Sequence, residues 1–166
     1  MNRNKHVSQD VLATKGLRFA NFIIDYIAII AFSTVIGIVI GIISGLVGSF
    51  AFLDFLESNV IVEYLFGYLI WLVYYLSFEF FLKGRSIGKW ITKTKVVTHD
   101  GLEPSFETIL VRSLCRFIPF EQFSFLGTDG KGWHDSISKT YVVEVKKFEE
   151  KIETEFELDQ IGKLPE

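Results

Sequence analysis

Between Asp25 and Asp54 the chain runs for 28 residues, Tyr26 to Leu53, without a formal charge. A soluble domain does not easily accommodate a run of that length, whereas a bilayer with a hydrocarbon core of roughly 30 Å does. Asp25 then stands at the edge of the hydrocarbon or inside it, where a carboxylate needs a partner, a proton or a function. Composition agrees. Mean hydropathy is +0.34, and 17 of the 166 residues are phenylalanine, more than a soluble core of this size uses. The net charge of -3 gives no global basic footprint, so no nucleic-acid partner is expected. The single cysteine, Cys115, excludes an intramolecular disulfide and a cysteine-based metal set. It reads as a small structural residue.

The fold class predicted is an α-helical integral membrane protein with two transmembrane helices. The first runs from about Phe19 or Phe22 to about Phe50. Its apolar part is too long for the h-region of a usual cleavable signal and reads as a retained span. Being longer than the hydrocarbon is thick, it must tilt, project or break near its glycines. Gly37, Gly41 and Gly45 fall at i, i+4 and i+8, a face on which a helix of the same chain or of a second copy packs closely. The second span runs from about Tyr64 to Leu82, with 15 uncharged residues before Glu79. The loop between the spans carries Asp54, Glu57 and Glu63. The flanks carry Arg3, Lys5, Lys15 and Arg18 before the first span, and Lys83, Arg85, Lys89, Lys93 and Lys95 after the second. The positive-inside rule puts both termini in the cytoplasm.

The stretch 105–126 is apolar but interrupted by Arg112, Arg116, Pro119 and Glu121. It reads as a cytoplasmic interfacial or re-entrant helix, with a third span as the competing reading. Short extended segments flank it: one around Lys95–Val97, turning at Asp100-Gly101, and one at Lys139–Val145, after the Gly-Thr-Asp-Gly-Lys-Gly turn. They are candidates to pair. Val145, Phe148, Ile152 and Phe156 recur at helical spacing in a charged tail. The division expected is a membrane domain over 15–144 and an amphipathic cytoplasmic tail over 145–166.

Charged residues inside or beside the spans are the candidate site. Arg18 and Asp25 share a helix face but lie about 10 Å apart along the axis, too far for a direct pair. Glu79 sits about one turn before the cytoplasmic end of its span, at a depth similar to Asp25. Arg112 is the first candidate partner for Asp25 or Asp135, since a guanidinium engages a carboxylate bidentately and stays charged when buried. His134, next to Asp135, reads first as a hydrogen-bonding or capping residue and second as part of a proton relay. Gly84–Lys89 has neither the glycine spacing nor the Ser or Thr of a nucleotide-binding P-loop. It reads as the turn out of the membrane, with Arg85 and Lys89 at anionic headgroups. Ser86 and Lys89 make an S-x-x-K spacing without the companion motifs of acyl transfer. No histidine spacing suggests a metal. No cofactor and no enzymatic activity are expected.

Taken together these motifs resemble the RDD family of small bacterial membrane proteins, named for an arginine and two aspartates. Arg18-Phe19-Ala20 through Ile24-Asp25 is similar to its first signature and Gly84–Lys89 to its post-span motif. Lys95-Val96-Val97, Gly101 and Arg112 follow in order, then His134-Asp135 and Thr140-Tyr141-Val142-Val143. The resemblance covers roughly residues 15 to 144. The family usually has a more continuous apolar segment after the arginine matching Arg112; here Arg116, Pro119 and Glu121 break it. The resemblance implies the bacterial cytoplasmic (inner) membrane. Transport, including cation–proton exchange, has been proposed for some members, which makes Arg18, Asp25, Arg112 and Asp135 the positions to test.

Two functional readings follow. In the first, copies associated through the glycine stripe move a small cation or proton, with Asp25 in the mechanism. In the second, the chain is a non-catalytic scaffold or accessory subunit. Its charges dock its own elements, its basic flank grips membrane lipids, and its tail binds a cytoplasmic or membrane protein partner.

Overall fold

The computed structural model describes residues 7–127 and 131–161. Arg3 and Lys5 of the basic flank, the tip of the glycine-rich turn and the last five positions of the tail lie outside the described residues. The chain is largely helical. A 3₁₀ turn, Gln9–Val11, leads into α1 (Lys15–Val47), followed by α2 (Ala51–Glu57), α3 (Val60–Phe81) and α4 (Ile87–Ile91). Then come β1 (Thr94–Thr98), α5 (Phe106–Cys115), a 3₁₀ segment (Glu121–Leu126), α6 (Trp133–Ile137), β2 (Thr140–Glu144) and α7 (Val145–Ile161).

Helix α1 is continuous through all its glycines. Thr14 caps its start, its hydroxyl accepting from the Leu17 N–H, and Gly48 ends it in the left-handed region. At 1.5 Å per residue its 33 residues make a rod of about 50 Å. Its first three turns, the part before Tyr26, therefore project beyond the apolar stretch. α1 and α3 are both long and apolar enough to cross a membrane, and only 6% and 11% of their most apolar windows are covered by the rest of the chain. A soluble protein's core helix would be buried. These two present bare Ile, Val, Leu and Phe along most of their length, a surface that water would not tolerate. They touch through Phe32, whose ring stacks edge-on against Tyr74 and Phe78.

Among the described residues nothing packs against the glycine stripe: a Cβ built at Gly37, Gly41 or Gly45 meets no atom within 4 Å. The loop between the spans is not extended, either. Ala51 to Glu57 forms the short helix α2, folded onto α3 through Phe52 and Phe66.

Strands β1 and β2 pair antiparallel, Val96 opposite Val142 and Thr98 opposite Thr140. A two-stranded ribbon is marginal alone, and here both faces are covered. On one face Val97 and Val143 pack with Val11 and Phe148, bringing in the 3₁₀ turn and α7. Lys151 donates to Asp10 at 2.9 Å, and the Ser8 hydroxyl together with Lys151 holds the Asp10 carboxyl down to about 2. On the other face Val96 and Val142 pack with Ala13 and Leu17 at the start of α1. Thr94 and Thr140 stand on this second face and are fully buried, so the ribbon presents one hydroxyl to α1 and one to α5.

The stretch after β1 is not a third span. α5 has 10 residues, about 15 Å of helix, half of what the hydrocarbon requires. It runs antiparallel beside the end of α3: Phe106 meets Phe80, Arg112 meets Glu79, and Phe117 meets Trp71 and Tyr68.

Candidate functional site

Below the apolar part of α1 and α3, their ends, α4, α5, α6 and the ribbon enclose a cluster of charged side chains. Arg18, Asn21 and Asp25 supply the α1 side, at i, i+3 and i+7, and all three are buried. Glu79 comes from the last turn of α3. Lys89 is on α4, Arg112 on α5 with Arg116 just beyond it, Glu121 on the 3₁₀ segment, and His134 and Asp135 on α6.

Local chemistry sets each element in place. After α3 the chain reverses at Gly84, with φ 84°; a Cβ there would lie 2.7 Å from the Val96 carbonyl oxygen. That carbonyl region is close because the Val96 N–H donates to the Gly84 carbonyl at 2.9 Å, which ties β1 to the turn. Ser86 then caps α4, its hydroxyl accepting from the Lys89 N–H. Gly88 lets α4 lie directly on α1, since a Cβ would sit 2.5 Å from the Asn21 carbonyl oxygen and 3.0 Å from the Asp25 carboxylate.

Asp25 accepts three hydrogen bonds from neutral donors: the Tyr74 hydroxyl at 2.9 Å, the Ser86 hydroxyl at 2.6 Å and the Gly88 N–H at 2.8 Å. Glu79 is surrounded by cations, with Lys89 Nζ at 2.9 Å, Arg116 Nη2 at 3.1 Å and Arg112 Nε at 3.5 Å. Arg116 also lies over the Tyr75 ring, 4.1 Å from its centroid. Asp135 is bound by Arg18, by Arg112 Nη1 at 2.6 Å and by the Gly132 N–H at 3.2 Å. Arg112 donates as well to the Thr140 hydroxyl, and Asn21 donates to Thr94 at 3.0 Å. The ribbon is thereby joined to α1 and α5.

His134 packs its ring between two carboxylates. Nδ1 meets Glu121 and Nε2 lies 3.2 Å from Asp135, while its backbone N–H donates to Glu121 at 3.2 Å. Burial and the nearby Arg116, Arg112, Arg18 and Lys89 outweigh the two carboxylates and hold its pKa well below the ordinary histidine value. Lys89 is also drawn below the ordinary lysine range by burial, against the pull of Glu79.

Among the described residues the cluster holds four cationic side chains, Arg18, Lys89, Arg112 and Arg116, and four carboxylates, Asp25, Glu79, Glu121 and Asp135. Seven of the eight are buried and Arg116 nearly so. The charges cancel within the cluster. A cavity of about 40 Å³ remains beside Arg18, Asn21, Asp25, Lys89, Arg116 and His134, room for a few waters. No group of three or more His, Cys, Asp or Glu positioned to hold a metal occurs among the described residues.

All six charged residues singled out in the sequence, Arg18, Asp25, Glu79, Arg112, His134 and Asp135, come together here. Arg112 engages Asp135, not Asp25, and Glu79 too. Lys89 corrects the reading of the post-span turn: it is 4% exposed and paired with Glu79, because α4 turns it inward, and it does not reach headgroups. His99 and Asp100 pair at 3.1 Å on the exposed turn after β1, outside the cluster. Sequence reasoning missed Arg116, Glu121, Asn21, Tyr74 and Ser86 as members. Asn21 was accessible as the middle of a polar stripe with Arg18 and Asp25. Glu121 carries no local signal, since its partner lies across the turn.

The family model described as the RDD family matches residues 12–141, a span that contains every charged member of the cluster. No curated protein and no solved structure matches the chain.

Proposed function

The chain belongs to the RDD family, and we propose that it is a multi-pass protein of the bacterial cytoplasmic membrane that acts as a non-catalytic scaffold or accessory subunit. In this reading α1 and α3 cross the bilayer, both termini are cytoplasmic, and α2 lies at the outer surface. The observation that carries it is the self-neutralising cluster, in which Glu79 and Asp135 bind the four cations and neutral donors hold Asp25 and Glu121, around a cavity of about 40 Å³. Buried charges that are paired define a geometry at a desolvation cost. Here they fix the ribbon, and α7 behind it, rigidly below the spans. The face offered to a partner is the far end of α7, where Phe156 and Leu158 are exposed among Glu153, Glu155 and Glu157.

A second reading, transport of a proton or small cation by an oligomer, is favoured by Asp25. It is buried, held only by the three neutral donors named above, and borders the cavity. The two readings separate in one experiment. Purified chain in liposomes under imposed sodium and proton gradients is compared with Asp25→Asn. In parallel, cells carrying wild type or Phe156→Ser with Leu158→Ser are cross-linked and the adducts identified. The scaffold reading expects no gradient-driven flux and a defined adduct lost in the double variant. Flux in wild type that Asp25→Asn abolishes would replace it with the transport reading.

A further inference from the structure

The limb between β1 and α6 carries an apolar surface that neither the ribbon nor the charge cluster uses. Its path can be followed against α3. Phe106 lies at Phe80, 5.6 Å between ring centroids. Arg112 lies at Glu79, and Arg116 over Tyr75 at 4.1 Å. Phe117 sits between Trp71 at 5.6 Å and Tyr68 at 5.3 Å. From Glu79 to Trp71 is eight residues of α3, so the limb climbs roughly 12 Å past the level of the charge cluster. It then turns at Pro119 and Phe120 and descends, Phe123 meeting Phe22 on α1 at 6.0 Å.

From these contacts we infer that residues 106–126 form a re-entrant limb. It enters the hydrocarbon from the cytoplasmic side, turns within it, and has its outer face solvated by lipid acyl chains. The inference rests on the reading of α1 and α3 as spans. Three features of the limb fit hydrocarbon and not water. Its outer face is apolar: Val111, Leu114, Ile118, Phe120 and Phe123 are 40%, 46%, 37%, 74% and 45% exposed, and they continue the bare surface of α3. Beyond its first turn, where Glu107 is exposed, its charges point the other way, Arg112, Arg116 and Glu121 being turned into the cluster. Its turn closes its own backbone, as a segment at membrane depth must. The N–H groups of Phe117, Ile118, Glu121 and Phe123 donate to carbonyls three residues back, and Pro119 has no N–H to satisfy.

Exposed apolar surface on a polar-rimmed soluble face would suit a protein partner as well. Here continuity with α3 and the inward aim of Arg112, Arg116 and Glu121, the charges beside the turn, favour lipid. The test places single nitroxide labels in the full chain carrying Cys115→Ser, reconstituted in bilayers, and measures collision with oxygen and with a water-soluble nickel chelate. Labels go at Phe120→Cys, at Leu114→Cys, at Leu69→Cys as the mid-span reference, and at Phe156→Cys as the aqueous reference. Leu114→Cys avoids the left-handed backbone of Phe120. The expected result is that labels 114 and 120 behave as label 69 does, meeting oxygen freely and losing nickel collisions. Nickel access at 114 and 120 equal to that at 156, with 69 protected, would overturn the limb alone. Protection at 114 and 120 from both reagents would overturn the lipid-facing surface in favour of a covering protein. Nickel access at 69 as well would overturn the spans and the limb with them.

Discussion

At Glu79 one carboxylate answers for three cations. Replacing it with glutamine leaves Lys89, Arg112 and Arg116 buried around a neutral amide. Removing one partner of a buried ionic group costs about 3–5 kcal/mol, because the remaining charge keeps its desolvation penalty. Glu79→Gln is therefore expected to lower the Tm of the detergent-solubilised protein well beyond a surface change such as Glu103→Gln, whose partner Lys83 lies 3.7 Å away on an exposed pair. His134 makes a prediction in pH. Its pKa in the folded protein lies below the ordinary value, so the unfolded chain binds the extra proton. Stability from this residue is complete above about pH 6.5 and is lost as pH falls below it, with a limiting slope of about 1.4 kcal/mol per pH unit. A Tm series from pH 7.5 to 5 is expected to fall in wild type and to flatten in His134→Gln. The groups that set this shift face His134 from every side: Glu121 and Asp135 against it, Arg18, Lys89, Arg112 and Arg116 for it.

Among the elements, α4 is the one whose placement depends most on a missing side chain. Only five residues long, it is held on α1 by the Gly88 N–H to Asp25 and by the Ser86 hydroxyl. Gly88→Ala puts a methyl group against the Asn21 carbonyl, so α4 must back away and stretch the bond to Asp25. Overpacking of this kind costs about 1–3 kcal/mol. Gly37→Ala is the control: its methyl meets nothing, and alanine is the better helix former by up to about 1 kcal/mol. The first variant is expected to lower Tm and the second to leave it unchanged or raise it. The ribbon is legible at this scale as well. Lys95–Val97 and Lys139–Val145 read as extended segments, and they pair. The helix α2 was not legible, because its seven residues lie inside a loop whose acidic residues dominate the pattern.

For the molecule as a whole, the two long apolar helices and the family membership support a membrane location. What the chain presents to the rest of the membrane is decided by which surfaces the cluster consumes. It takes the ends of α1 and α3, one face of the ribbon and the inner face of α5. It leaves bare the glycine stripe, the outer face of the limb and the end of α7. Much of this was written in local pattern: the uncharged runs fix the two helices, the break at Arg116, Pro119 and Glu121 argues against a third span, and the 3.6-residue period gives α7. Those features depend on neighbours in the chain, and hydropathy and spacing carry them. The pairings were a different matter. Arg18 finds Asp135 across 117 residues, Asp25 is met by a serine and a glycine from a turn read as facing headgroups, and Lys89 turns inward to Glu79. Every one of these charges has several partners of suitable sign; sequence ranks Arg112 first for Asp25 or Asp135, which leaves the choice between those two open, and ranks no partner for Arg18 or Lys89. The choice is made only when Gly84 and Gly88 let the post-span turn fold back onto α1 and the ribbon closes the cluster from below, which fixes the distances and excludes the water that would otherwise leave the pairings open.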